Sequence, residues 1–240
     1  MSAPATRVPA VAAEEVRAAR RATLWRGALA VWAKEVRAEW RSRYSVGSSI
    51  VFAAATLAVL TLAVGFQARR PELASALLWI VLLFSATASL GHGFAREVEG
   101  GTWDLLRQAA GPGEVLLGKW LAAATLLAAI EAVILAMGAV LIGPTVKNPL
   151  GFLAVLGLGS LSLAAGLPLV GALLAQARRH GGLVAVMAFP LLVPGLLAAV
   201  MGTRQAMQGG WPVGEMRMLI AFTGLLVVAG WRLFEFIWDE

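Results

Sequence analysis

The sequence predicts an all-α polytopic membrane protein, with six transmembrane helices preceded by an amphipathic interfacial helix. Three observations predict it. Hydrophobic residues make up 59% of the 240 positions and mean hydropathy is +0.78, well above the values of a soluble domain. Six apolar runs have about the ~20-residue length that crosses a ~30 Å hydrocarbon core. The cations are unevenly divided between alternate connections, as in a chain that crosses a membrane repeatedly.

The elements follow in order. Residues 1–21 are rich in Ala, Pro and Arg with little apolar payload, and are expected to be a disordered extension. Residues 22–44 form the next unit. Trp25, Leu29, Trp32, Val36 and Trp40 recur every three or four residues and share one helical face, with Arg26, Lys34, Arg37 and Arg41 on the opposite side. Indole rings favour the headgroup boundary and basic side chains favour anionic lipid, so an amphipathic helix over about 23–43 should lie in the inner membrane surface.

Residues 45–240 hold the membrane domain, with runs at Val46–Phe66, Leu73–Phe94, Val115–Ile142, Leu150–Ala175, Leu183–Gly202 and Met216–Ile237. The first run follows 45 residues that include a long charged segment, so it does not read as a cleavable signal peptide. Connections are short, with no room for a soluble domain.

With the N-terminus inside, the cytoplasmic segments carry fifteen of the twenty Lys and Arg. The outer segments carry Arg69, Arg70, Lys147, Arg204 and Arg217. The positive-inside rule then puts both termini in the cytoplasm. The net charge of +6 is spread over membrane flanks and forms no single groove, which argues against a nucleic-acid partner. The chain has no Cys, which excludes disulfides, thiolate metal sites and a Cys-x-x-Cys-His haem attachment.

Within the spans, Lys119 and Trp120 fall at the inner interface, with Lys119 as an anchor. Glu131 falls near mid-membrane. An ionised carboxylate is costly there, so it either lines a path or orders the bundle through an interhelical hydrogen bond. Gly159, Ser162 and Gly166 share a face of the fourth run and predict close helix packing. Pro190 and Pro194 predict a broken fifth helix. The segment 203–215, with Gly209, Gly210 and Pro212, reads as the largest outer loop and as partly re-entrant.

Chemistry-bearing motifs are sparse. Residues 113–119 fit Gly-x4-Gly-Lys, but a P-loop needs Ser or Thr next and a strand before; here Trp120 follows and Gly111-Pro112 precede. His92 and His180 are the only histidines, they stand in different loops, and neither has a ligand partner in its pattern. No zinc spacing, triad or carboxylate dyad is present, and a membrane enzyme has no convergent polar residues to support it.

The richest segment is FAREVEGGTWDLLRQAAGPGEVLLGKW over 94–120. Glu97, Glu99 and Asp104 carry charge, and Gly100-Gly101 permit a sharp reversal. Thr102 can N-cap a short helix with Asp104 in its first turn. Trp103, Leu105 and Leu106 give that helix an apolar surface, and Gly111-Pro112-Gly113 end it. A short amphipathic helix held between two spans can act as a lever for a soluble partner.

This acidic, Gly-Gly-Thr, acidic-Leu-Leu pattern resembles the coupling segment of ABC-2-type permeases. The stretch ARRHGGLVAVMAFPLLVPGLL over 177–197 narrows the likeness: from about Trp32 to Phe236 the chain resembles the haem-exporter protein B (CcmB) family of cytochrome c maturation. Residues 1–21 and 238–240 stand outside the pattern. The Glu97 and Glu99 segment departs from the Asp-rich version common in relatives.

The resemblance implies a permease subunit of an ABC transporter in the bacterial inner membrane, with no ATPase activity and no confidently bound cofactor of its own. It implies a cytoplasmic ABC ATPase that binds ATP and Mg, a second copy of the permease, and a haem-handling membrane protein with its haem chaperone. Together these would use ATP to export haem or release haem-loaded chaperone. Glu97, Glu99, Trp103, Asp104, Leu105 and Leu106 would then be ATPase contacts, with Gly100, Gly101 and Thr102 shaping the turn. Arg178 and Arg179 would be a second cytoplasmic contact or a positive-inside stop. Two other readings fit the same pattern: an ABC-2 permease for a drug, lipid or polysaccharide, and a non-transporting membrane scaffold.

Overall fold

An apolar run in lipid favours the helix, which satisfies its backbone groups internally. The computed structural model describes residues 10–42, 44–90, 110–180 and 189–239. Among these every regular element is helical. In chain order they are α1 (Ala10–Ser42), α2 (Tyr44–Val64), a 3₁₀ turn (Gly65–Arg69), α3 (Pro71–Leu90), α4 (Pro112–Leu141) and α5 (Pro149–His180). A second 3₁₀ turn (Phe189–Leu192), α6 (Val193–Gln208) and α7 (Val213–Asp239) complete the order.

A helix falls on each of the six apolar runs. Among the described residues, four segments have the length and composition to cross a membrane: Ser49–Arg69, Pro112–Leu141, Pro149–Gly171 and Val213–Phe234. Within α3 the apolar stretch Pro71–Thr87 is shorter, and α6 has 16 residues.

Three boundaries differ from expectation, each for a local reason. First, α1 begins at Ala10, so residues 10–21 are helical where an extension without structure was expected. The run AVAAEEVRAARRA is built from the best helix formers, and propensity outweighs its lack of apolar payload. Second, the helix described in the fifth run begins only at Val193: Pro194 sits in its first turn, where its missing N–H costs nothing, and the preceding 3₁₀ turn holds Pro190; residues 183–188 lie outside the described residues. Third, 203–215 is mostly helix. α6 continues through Gln208 and stops at Gly209, whose φ of 100° supplies the left-handed cap, and α7 starts four residues later. The polar residues that read as loop have partners: Thr203 accepts from Trp79 Nε1 at 2.9 Å, and Gln208 Nε2 donates to Glu72 Oε1 at 2.9 Å.

The core lies where α3, α5 and α6 meet. Trp79 is fully buried, and its indole fills the space left by Gly159 on α5: a Cβ there would lie 2.2 Å from the ring. Gly166 leaves room in the same way for Leu192. The expected small-residue face of the fourth run is therefore a packing face. Pro168 is carried inside α5 without ending it.

The bundle has two distinct ends. At one, the turns 65–70, 142–148 and 209–212 come together. Arg69 Nε donates to the Ile142 carbonyl at 3.1 Å, the Lys147 and Asn148 amides donate to Met207 and Ala206, and Asn148 Nδ2 donates to Gly210. At the other end the first turns of α4 meet α1 and the last turns of α7.

Candidate coupling junction

The second end is the site of interest, because residue 110 enters it directly from the 94–109 segment. Gly111 precedes α4 with extended backbone, and Pro112 pre-sets the helical φ of the first turn. The turn is closed by Glu114, whose Oε2 accepts from the Gly111 N–H at 3.2 Å. Residues 111–113 therefore start the third span as well as ending the loop before it.

Three glycines let other helices come close. A Cβ on Gly118 would lie 2.5 Å from Val31 Cβ and 2.8 Å from the Ala28 carbonyl, so α1 crosses α4 there at near backbone contact. A Cβ on Gly113 would lie 2.7 Å from the Trp231 ring of α7. On α1, a Cβ on Gly27 would meet the Glu114 carboxylate at 2.4 Å. Val31, Val115, Leu116 and Phe234 form a small buried cluster that joins the same three helices.

Polar contacts lock this packing. Lys119 Nζ donates to Glu35 Oε1 at 3.1 Å, and the lysine side chain is only 5% exposed. Its charge is turned inward onto α1, and the pairing offsets the cost of burying an ammonium. One turn and a half along α4, Thr125 Oγ1 accepts from Trp32 Nε1 at 3.0 Å and donates to the Leu121 carbonyl.

These contacts give α1 three faces where two were expected. Trp25 and Leu29 are more than half or about half exposed and suit lipid, Lys34 and Arg37 are exposed on the polar side, and Ala28, Val31 and Glu39 are buried. The buried face is rotated by roughly 100° from the tryptophan stripe. The helix is thus both interfacial in pattern and docked on protein.

Glu131 lies further along α4, well inside the Pro112–Leu141 span. It is buried and accepts from Ser160 Oγ of α5, which is the interhelical hydrogen bond. Arg178 and Arg179 fall in the last turn of α5. Glu97, Glu99, Gly100, Gly101, Thr102, Trp103, Asp104, Leu105 and Leu106 lie outside the described residues, as does His92. Among the described residues no group of three His, Asp or Glu could hold a metal ion.

The joint itself was not read from sequence. Gly113 and Gly118 in the first two turns of a span were a usable signal for close approach. The Glu35–Lys119 pairing spans 84 positions and had none.

A family model described as CcmB protein matches residues 26–233. That range takes in α1 from its docked part, the 94–109 segment, and all of α7 before Phe234. No curated protein and no solved structure matches the chain significantly.

Proposed function

The chain belongs to the CcmB protein family, and from that premise we propose how it works as the membrane permease subunit of a haem-export transporter for cytochrome c maturation. The family's subunits are transporter parts, not enzymes, and they normally work with an ATPase. The finer reading is as follows. Six spans place both termini in the cytoplasm of the bacterial inner membrane. The 94–109 segment is the docking lever for a cytoplasmic ABC ATPase, with Glu97, Glu99, Trp103, Asp104, Leu105 and Leu106 as contacts. A second permease copy and a haem-handling membrane protein complete the assembly.

The observation that carries this reading is the joint at the foot of α4. A push on the 94–109 segment arrives at Gly111, one residue before a helix of 30 residues. At 1.5 Å per residue α4 reaches about 45 Å, the full depth of a bilayer. Its first turns are held to α1 at Gly118 and Lys119 and to α7 at Gly113. A displacement delivered there moves three helices together instead of bending one. Glu131, further along α4 and bonded to Ser160, would then shift against α5 and carry the change to the middle of the bundle.

The test is a mild-detergent purification of the tagged full chain, expressed with its neighbouring genes, followed by mass spectrometry and a haem absorbance scan. Co-elution of an ABC ATPase with a haem-handling membrane protein supports the reading. An ATPase without haem or that partner would point to a permease for another cargo, and no ATPase would overturn the coupling role.

A further inference from the structure

The turn end of the bundle contains a cavity of about 320 Å³, within the size range of small-ligand sites. Its floor is apolar and buried, formed by Leu57, Leu78 and Ile134 from α2, α3 and α4. Its rim, at Ala139, Gly143 and Val146, is exposed or half-exposed. Gly138 lines the cavity, and a Cβ built there meets nothing within 4 Å, so the space is not filled by a neighbouring side chain.

Two cations flank the rim from different elements. Arg69 is held there by its bond to the carbonyl of Ile142, a lining residue. Lys147 follows the lining residue Val146, and its amide donates to the carbonyl of Met207, which also lines the cavity. The surface leading to the rim is apolar and exposed: Leu62, Phe66 and Val140 are each more than four-fifths exposed.

An apolar hole beside lipid-facing surface, with positive charge at its mouth and near the ends of the spans, matches one kind of molecule. Its tail must be hydrocarbon, its head anionic, and it must reach the site from the bilayer plane. We propose that this cavity is a binding site for an anionic phospholipid, with one acyl chain between α2, α3 and α4 and the phosphate between Arg69 and Lys147. Arg69 keeps its remaining guanidinium donors for that phosphate while its Nε is spent on Ile142. The bound chain would wedge the far end of α4, the same helix whose near end receives the 94–109 segment. The site itself requires only that these helices cross a membrane, and stands whether or not the coupling reading holds.

The experiment is native mass spectrometry of the full-length protein exchanged with phosphatidylglycerol or phosphatidylcholine. Wild-type protein should retain phosphatidylglycerol in preference to phosphatidylcholine. Gly138→Phe fills the cavity from open space and should abolish retention of both lipids, with the unfolding midpoint in detergent unchanged or raised. Arg69→Gln with Lys147→Gln should keep the acyl site but lose the headgroup preference, by roughly thirtyfold at about fivefold per basic residue. Equal lipid retention by Gly138→Phe and wild type would overturn the proposal. So would a headgroup preference that survives the double charge variant, or retention of haem in place of lipid.

Discussion

α4 and α5 are the two longest helices of the membrane domain, and they are held in opposite ways. Of the apolar window of α5, 72% is buried inside the molecule, against 22% for α4. α5 is a hub: α7, α6 and α4 pack around it, and its glycines are sunk into the Trp79 ring and Leu192. α4 is gripped mainly at its ends and along one side, by α1 at its foot and by α2 and α5 further along. The difference is one of enclosure: α5 is surrounded by protein, whereas α4, which follows the 94–109 segment, presents most of its apolar window outside the bundle.

That contrast can be broken most severely at the hub. Gly159→Leu would drive side-chain atoms into the buried Trp79 indole, where even a Cβ comes within 2.2 Å. Overpacking of this kind costs about 3 kcal/mol or more, and the variant should lose its monodisperse peak in detergent chromatography. Gly118→Val tests the foot of α4 in the same manner. It pushes α1 off α4 at a cost of about 2–3 kcal/mol, yet the hub should survive. Protease sensitivity should rise within residues 24–42 while the bundle stays folded. Loss of the whole bundle instead would mean that α1 is part of the hub.

Thr203→Val leaves the Trp79 N–H buried without its acceptor. The expected loss is about 1–3 kcal/mol, read as a lowered unfolding midpoint in SDS titration. The smallest effect sharpens the comparison at the joint. Lys119→Met should cost about 1 kcal/mol, since Glu35 keeps 23% exposure and water shares the screening. Adding Glu35→Leu should restore most of that loss, because an apolar pair of similar volume replaces the ion pair, and Lys34, which also pairs with Glu35, is about half exposed to water. A double variant no better than the sum of the two singles would show that the pair is not an energetic unit.

Much of this fold was legible in the sequence, and the residues say why the rest was not. Apolar length places helices on all six runs, because lipid leaves the backbone no other partner. The face of α1 was legible as a stripe, but its contacts were not: Trp32 finds Thr125 and Val31 finds Gly118, both on a helix some 90 positions away. Thr203 and Gln208 read as loop because polar residues usually mean solvent; here Trp79 satisfies Thr203 within the bundle, and Gln208 meets Glu72 at the surface of the helices. Local pattern reports what a residue needs; it does not report which distant residue supplies it. The proposed coupling contacts, from Glu97 to Leu106, lie outside the described residues and rest on the sequence pattern.

The measurement that tests the central claim most directly is retention of the ATPase by the full chain carrying Asp104→Lys and Leu105→Lys, compared with wild type, in one mild-detergent purification. The lever account predicts that both proteins insert and fold alike, that wild type holds the ATPase, and that the double variant releases it. Equal retention by the two would contradict the account, since the 94–109 segment would then not be where the partner docks.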